Sequence, residues 1–595
     1  MTAYLPPLRD MEFVLRELAG LEQIATLPGF EEASPELVAS VLEEAGRVAE
    51  EVLAPINQSG DRQGAKLVDG VVKTADGWDQ AYKTLSEGGW VGLAVPAEHG
   101  GMGLPGLVGA AVAEMWQAAN MAFALCPMLT QGAINAIEVY GTDAQKATFL
   151  PQLVTGEWAG TMNLTESGAG SDLGAIRTKA VPEGDHYLIS GQKIFITYGD
   201  QDLTENVIHL VLARTPDAPA GVKGISLFIV PKFLVNADGS LGARNDVHCV
   251  SIEHKMGIHA SPTAVMSFGD QAGAIGYLVG EENRGLEYMF VMMNHARLNV
   301  GIQGLGIAER SYQQARGYAR ERVQGKAVGT ADKGGIVDHP DVRRMLMTMK
   351  SQIEAMRALA YVAAAALDNA HSHPDATARE QAKRYAELLN PVVKGWCTEV
   401  GNEVAYLGVQ VHGGMGYVEE TGSCQHLRDA RITTIYEGTT AIQANDLVGR
   451  KILKDRGEAI GQALADVSTL AATLAKSANP ALAEIGTALS EASQLTTKAV
   501  DWLLGAGAED PRLPSAAAVP LLRLVGVTLG GHQMAKAAQI AKAKLDAGEG
   551  DPAFLKAKIT TAQFYANQIL PQALSLSRIV INGSRSVMVT DSDQL

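Results

Sequence analysis

The stretch Arg428-Asp-Ala-Arg-Ile-Thr-Thr-Ile-Tyr-Glu-Gly-Thr-Thr-Ala-Ile-Gln443 decides how this chain is read. Charged residues lead into an apolar run, Ile432 to Tyr436, which ends on a single carboxylate, Glu437. Gly438 follows, a residue without a Cβ, where backbone can approach a ligand closely. Thr439 and Thr440 then open an apolar-periodic segment, Ala441 to Leu453, that predicts a helix with threonine at its cap. A lone acid at a helix start, behind aliphatic neighbours, is partly desolvated. Desolvation moves a carboxyl group toward a pKa suited to taking a proton from carbon. The same residues have a purely structural reading, because an acid near the first turn of a helix is favoured by the helix dipole. The segment alone leaves both open.

Outward from this stretch, size and composition set bounds. At 595 residues the chain is too long for one core and predicts roughly three to five domains. It is 47% hydrophobic with 5% aromatics and 63 glycines, which predicts a soluble, globular, helix-rich protein. A net charge of −17 argues against a nucleic-acid partner. The cysteines, Cys126, Cys249, Cys397 and Cys424, form no Cys-x-x-Cys pair and no cluster with histidine, so a reduced, cytoplasmic compartment is expected. The opening Met-Thr-Ala-Tyr-Leu-Pro-Pro lacks the basic and apolar regions of a signal peptide. The longest apolar stretch, 107–137, is interrupted by Glu114, Gln117, Asn120 and Pro127. It reads as a buried helix pair and not as a membrane span.

The hydrophobic period changes along the chain. Residues 1–30 form a short helical arm with apolar spacing at Met11, Val14, Leu15 and Leu18, suited to packing on the next domain or on a partner subunit. Residues 31–160 read as a helical domain, and Ser34-Pro-Glu-Leu starts one helix in the capping manner. In 161–280 short alternating runs replace the helical period: 186–190, 193–197, 207–213, 225–230, 250–253, 264–268 and 276–279, punctuated by Gly, Pro and Asp. With no helix between them, they predict a small β-barrel or sandwich. Residues 281–450 return to long helices near 284–322, 340–370, 376–410 and 439–455, a four-helix bundle carrying the acid. Residues 451–595 are Ala-rich and near neutral, with 14 Lys and Arg against 13 Asp and Glu. They predict an appended all-α domain with helices near 457–477, 481–506, 515–546 and 553–578. The fold class is α+β, with no βαβ alternation.

Two glycine-rich loops and a strand end sit at the junctions. Met162-Asn-Leu-Thr-Glu-Ser-Gly-Ala-Gly-Ser-Asp-Leu-Gly174 has the spacing G-x-G-x-x-x-G and is followed by a β run, so the dinucleotide-binding fingerprint fails. What remains is a loop dense in N–H and hydroxyl donors (Thr165, Ser167, Ser171), suited to a pyrophosphate or a flavin edge, or a plain turn. Phe195-Ile-Thr197 can place a ring and a hydroxyl on a planar cofactor, or Phe195 can be core. In Gln410-Val-His-Gly-Gly-Met-Gly416 a helix C-cap needs one glycine of the three.

Taken together, "T-E-x-G-A-G-S-D", "G-Q-K-x-x-I-T", "Q-x-x-G-G-x-G" and "R-D-A-R-I-x-x-I-Y-E-G-T", in this order over about 31–450, resemble the acyl-CoA dehydrogenase family of flavoproteins. The arm and the bundle 451–595 resemble its longer bacterial branch. The resemblance implies FAD as cofactor, held by Thr165, Ser171, Phe195 (where the family usually has Trp), Thr197 and Thr439. It also implies that Arg322, Gln410 and Gly414 reach the FAD of a neighbouring subunit, hence a homodimer or homotetramer. Val323-Gln324-Gly325 departs from the family's usual K-T-F-G after Arg322. The CoA thioester is expected at Ser171, Asn294 (usually Asp), Arg297 and Gly438. Glu437 is the implied base, taking the α-proton of an acyl-CoA while the β-hydrogen leaves to flavin N5, giving a trans-2-enoyl-CoA.

An electron-transferring flavoprotein is the implied electron acceptor, and an acyl-CoA oxidase using O₂ is the nearest alternative. A nucleic-acid-binding offshoot with a basic C-terminal domain is opposed by the near-neutral 451–595, and a catalytically silent assembly factor by the presence of Glu437. Straight-chain acyl-CoA and 3-methylthiopropanoyl-CoA both remain open as substrates.

Overall fold

The computed structural model describes residues 4–595. They divide into two compact units, one comprising the chain through Gly46, Pro105–Ala118 and Val300–Leu595, the other Arg47–Leu104 and Ala119–Asn299.

The second unit contains every strand: β1 Lys66–Val68, β2 Val71–Lys73, β3 Trp158–Asn163, β4 Lys179–Glu183, β5 His186–Thr197, β6 Asn206–Ala213, β7 Ser226–Pro231, β8 Phe233–Val235, β9 Leu241–Arg244, β10 Val247–Ile252, β11 Thr263–Phe268 and β12 Ala274–Val279. Eight of them form one sheet in the order β10-β11-β5-β12-β7-β6-β3, with β4 on β5. β3 runs parallel to β6 and the other pairs are antiparallel. β6 and β7 are buried along their whole length, as expected of strands covered on both faces and not of a half-solvated alternating sheet. Ile189, Ile196, Val211, Phe228, Met266 and Phe268 form the sheet's core.

The two runs read as 186–190 and 193–197 are one strand, because Gly191 keeps the pairing with Phe268 where a turn was expected. β3 was not legible: Trp-Ala-Gly-Thr-Met-Asn lacks β-branched alternation, and parallel pairing with β6 defines it.

The helix Gly106–Tyr140 leaves helical geometry at Asn120 (φ −158°, ψ 88°), which makes it the helix pair expected over 107–137. The Asn120 side chain accepts from Phe123 N at 3.1 Å, capping the second half, and donates to Leu53 O at 3.3 Å. This helix and Leu513–Ala547 are long and apolar enough to cross a membrane, and 78% and 72% of their most apolar windows are buried inside the protein.

In the first unit, Ala376–His412 and Thr440–Asp446 flank the glutamate turn, the first through Lys394 and the second through Gln443. The appended segment forms Glu458–Ala475, Pro480–Glu509, Leu513–Ala547, Pro552–Gln568 and Gln572–Ile581. The single helix expected over 553–578 is therefore two, broken before Pro571, which lacks the N–H that a helix interior needs.

A buried ionic cluster joins the N-terminal arm, the bundle and the appended domain. The Arg357 guanidinium donates to Asp10 (2.6 Å), Glu114 (2.5 Å) and Glu309 (2.8 Å). Lys558 of the appended domain donates to Asp10 and Glu354, both at 2.7 Å. The arm thus docks on its own chain. Glu114, which interrupts the apolar helix, is buried because Arg357 and Tyr361 satisfy it.

Candidate active site

Glu437 sits in a turn between the 3₁₀ segment Arg431–Thr434 and the helix Thr440–Asp446, with φ at +57°, in the left-handed region that side chains rarely adopt. Gly438 follows at φ +88°, a conformation strained for any other residue, and a Cβ there would lie 2.7 Å from Gln443 Nε2 and displace that side chain. Thr439 is the N-cap, its hydroxyl accepting from Ile442 N at 3.3 Å, as the sequence predicts. Two side chains hold the carbonyls of the turn: Gln443 Nε2 donates to Glu437 O at 3.2 Å, and Lys394 Nζ donates to Gly438 O at 2.5 Å. Before the acid, Tyr436 is half-buried with its hydroxyl on Gln303 Oε1, and burial, with Glu437 nearby, pushes the phenol well up. Thr440 Oγ1 donates to Glu399 at 2.5 Å, fixing the far side of the turn. Glu437 itself is half-buried. Left-handed backbone at a non-glycine carrying a lone acid marks a position held against its own preference, as functional sites often are.

In the second unit, the donor-rich loop and the strand end lie together. Ile194 N donates to Thr165 O at 2.9 Å, tying the loop to β5. Glu166 is the loop's anchor, its carboxylate accepting from Arg177 N (2.7 Å), Thr178 N (3.0 Å), Thr178 Oγ1 (2.6 Å) and Lys193 Nζ (2.8 Å). Burial opposes the charge on Glu166, but the Lys193 ammonium outweighs it and holds the carboxyl below its usual range. Burial pushes Lys193, fully enclosed, down to about 8 against the pull of Glu166. Thr165 is half-buried and Ser171 is exposed on the loop. Gly168 and Gly170 have open space where a Cβ would sit, so packing does not require them to be glycine.

Phe195 is not core. Between Ala264↔Ile196 and Met266↔Lys193 the β5–β11 register gains one residue on β5, a β-bulge, and Phe195 occupies it at φ +59° with 58% of its surface exposed. Thr197 lies two residues on, half-buried and paired with Thr263. An outward aromatic ring beside a hydroxyl, next to a loop rich in N–H donors, is a donor set that fits a flavin and its pyrophosphate.

Asn294 and Arg297 sit one turn apart on the helix Gly285–Glu321, Asn294 exposed and Arg297 buried with its guanidinium over the Phe290 ring. In the first unit, Arg322 is exposed just past the end of that helix. Gln410 is exposed near the end of Ala376–His412, and Gly414 is exposed in the turn after it. Gly413 needs its freedom at φ +61°, and a Cβ at Gly416 would strike Val409 O at 2.3 Å. Gly414 has open space and no such requirement, which leaves it free for close approach by a ligand. Sequence reasoning missed Gln303, Lys394, Gln443 and the Glu166–Lys193 pair. Glu166 and Lys193 lay within quoted motifs, as the E of "T-E-x-G" and the K of "G-Q-K", and Gln443 ends the opening stretch, but no role was read for them.

The chain as a whole is similar to known proteins. The chain matches the acyl-CoA dehydrogenase N-terminal domain over residues 38–157, the middle domain over 161–271 and the C-terminal domain over 283–452. Residues 463–591 match the acetyl-CoA dehydrogenase C-terminal-like domain. It is 50% identical to a 3-methylmercaptopropionyl-CoA dehydrogenase from Ruegeria pomeroyi, over 98% of each chain. It is 35% identical to a butyryl-CoA dehydrogenase from Syntrophomonas wolfei, over 96% of this chain and 95% of the other. Among solved structures it resembles an acyl-CoA dehydrogenase from Bacillus anthracis complexed with FAD, at a TM-score of 0.74 and 21% identity, over 96% of this chain and 91% of that one.

Proposed function

Because the chain belongs to the acyl-CoA dehydrogenase family, we propose that it converts an acyl-CoA thioester to the trans-2-enoyl-CoA with FAD as cofactor, Glu437 acting as the base. The observation that carries the assignment is the glutamate turn: one carboxylate, held at φ +57° by side chains from two helices.

An α-C–H beside a thioester is a weak acid, and its proton leaves only if the carbonyl is polarised as negative charge develops on its oxygen. The Glu437 backbone N–H supplies one such donor, and the Glu437 carboxylate takes the α-proton. Tyr436, half-buried beside the acid, shields one side of the turn from water, while Ile435 is exposed. Ser171 and Gly438 approach the thioester, while Asn294 and Arg297 hold the CoA moiety, Arg297 as a buried cation suited to phosphate. Thr165, Ser171, Phe195, Thr197 and Thr439 hold FAD in the same subunit, and Arg322, Gln410 and Gly414 reach the FAD of a neighbouring copy in a homodimer or homotetramer. When bound, FAD supplies the acceptor for the β-hydrogen and its electron pair.

The preferred substrate is a short acyl-CoA of the 3-methylmercaptopropionyl type, following the half-identical relative, and the electrons leave to an electron-transferring flavoprotein. The dehydrogenase reading is favoured over oxidase because the near full-length relatives are named dehydrogenases. The four free cysteines, three of them buried, fit a cytoplasmic setting. Rapid stoichiometric peroxide on adding acyl-CoA in air would move the assignment to oxidase.

Glu437→Gln tests the base. It keeps shape and hydrogen-bonding capacity while removing the proton acceptor. The family's other base position corresponds to Ala296, which is buried and has nothing to titrate. FAD content and acyl-CoA binding stay intact, and flavin reduction slows by at least ~10²-fold. Bleaching at near wild-type rate would place the base elsewhere.

A further inference from the structure

We infer that Lys394 and Gln443 act together as a clamp that positions Glu437, and that the appended domain backs this clamp through Leu522. Lys394 is fully enclosed on the helix Ala376–His412, where an ammonium is costly to desolvate and a neutral side chain would pack without that cost. Its Nζ lies 2.5 Å from Gly438 O, a charge-assisted bond to the residue after the base. Gln443, equally enclosed on the helix Thr440–Asp446, donates from Nε2 to Glu437 O at 3.2 Å and reaches Gly438 O at 3.5 Å. Two consecutive carbonyls of one turn are thus held by donors from two helices. Fixing both carbonyls fixes the peptide planes on the C-terminal side of Glu437, and with them the direction of its side chain. The left-handed conformation is unfavourable at a non-glycine residue. Without outside donors the turn would relax.

The clamp has a floor. A Cβ on Gly395 would lie 2.4 Å from Leu522 Cδ2 and 3.4 Å from Gln443 Cβ, so Leu522 fills the notch that glycine leaves beside Lys394 and Gln443. Leu522 belongs to the helix Leu513–Ala547 of the appended domain and is itself buried. The appended domain therefore bears on the helices that carry the base, beyond any part it plays in assembly. Lys394, Gln443 and Leu522 are positioning residues acting through Glu437. A displacement of the base by about 1 Å is enough for a ~10²-fold loss in rate.

The inference rests on Glu437 being the base, and its test separates the two claims. Holoenzyme carrying Lys394→Met, Lys394→Arg, Gln443→Met, Leu522→Ala or the Lys394→Met/Gln443→Met pair is mixed anaerobically with 3-methylmercaptopropionyl-CoA or butyryl-CoA. The rate of flavin reduction, the FAD content and the affinity for the enoyl-CoA product are read for each. Lys394→Met is expected to reduce its flavin ~10–100-fold more slowly, with FAD content and product affinity within about threefold of wild type. Lys394→Arg recovers part of the rate, Gln443→Met and Leu522→Ala lose roughly 3–10-fold, and the pair loses less than the product of its singles, as members of one unit do.

Reduction by Lys394→Met holoenzyme within about twofold of wild type overturns the clamp, and so does a pair whose losses multiply. If Lys394→Met fails to retain FAD, Gln443→Met decides, and a near wild-type rate there overturns the clamp. If Glu437→Gln abolishes reduction while the clamp variants do not slow it, this inference alone fails. If Glu437→Gln reduces normally, the base assignment has failed first.

Discussion

Phe195 at φ +59° and Glu437 at φ +57° are both non-glycine residues in the left-handed region, and they are held there by different means. Phe195 occupies a bulge between strands whose ladder resumes on both sides, at Ile196↔Ala264 and Lys193↔Met266. The sheet dictates its conformation, and the ring needs no partner of its own, standing largely exposed. Glu437 lies between a 3₁₀ segment and a helix start, where no ladder exists, so side chains supply the constraint: Lys394, Gln443 and the Thr439 cap. Strain carried by a sheet is distributed over backbone hydrogen bonds and tolerates substitution of the strained side chain. Strain carried by a loop depends on a few donors and fails when any one is removed.

The sharpest challenge to that contrast is Glu166→Gln, because the β-side turn has one charged dependency of its own. The substitution leaves Lys193 enclosed without its counter-ion, a loss of about 3–5 kcal/mol for a broken buried pair. Thermal unfolding and FAD content both fall. The effect has a pH signature. The folded Glu166 carboxyl titrates below its unfolded value of 4.5, so its contribution is complete above that value and is lost as pH falls through the lower, folded one. The gap in Tm between wild type and variant therefore narrows on acidification below about 4.5, and a gap that stays constant there contradicts the ion-pair account.

Thr439→Ala probes the loop-borne turn more gently. Loss of the N-cap costs about 1 kcal/mol, and the measured drop in Tm should come with a larger proportional loss in flavin reduction, because the cap orders the residue after the Glu437–Gly438 turn.

The smallest effect on stability is expected at the bulge. Phe195→Gly relieves roughly 1–2 kcal/mol of left-handed strain and gives back about 0.5–1 kcal/mol through the greater freedom of glycine in the unfolded chain. The net change is about 0–1.5 kcal/mol in favour of folding, while FAD affinity falls for want of the ring. A destabilised Phe195→Gly apoprotein, measured by denaturant unfolding, would show that the ring and not the ladder holds the bulge.

Much of this architecture is legible along the chain. The switch from a helical to a two-residue period and back marks the β region, and the glutamate turn declares its acid, its glycine and its threonine cap within four residues. These are local properties: propensity, spacing and capping depend on neighbours a few residues away. The strand β3 escaped notice because its residues have little β preference, and the break before Pro571 because the flanking apolar period continues through it. What only the tertiary structure decided are the pairings across long separations. Lys394 meets Gly438 at 44 residues, Arg357 meets Asp10 at 347, and Lys558 meets Asp10 at 548. The exposure of Phe195 belongs with them, since a one-residue shift in strand register, invisible in the pattern of either strand, turns outward a ring that its own stretch left open as core or cofactor-facing. Such partners are chosen by how packed elements close around one another, and a sequence read alone carries no record of that closure.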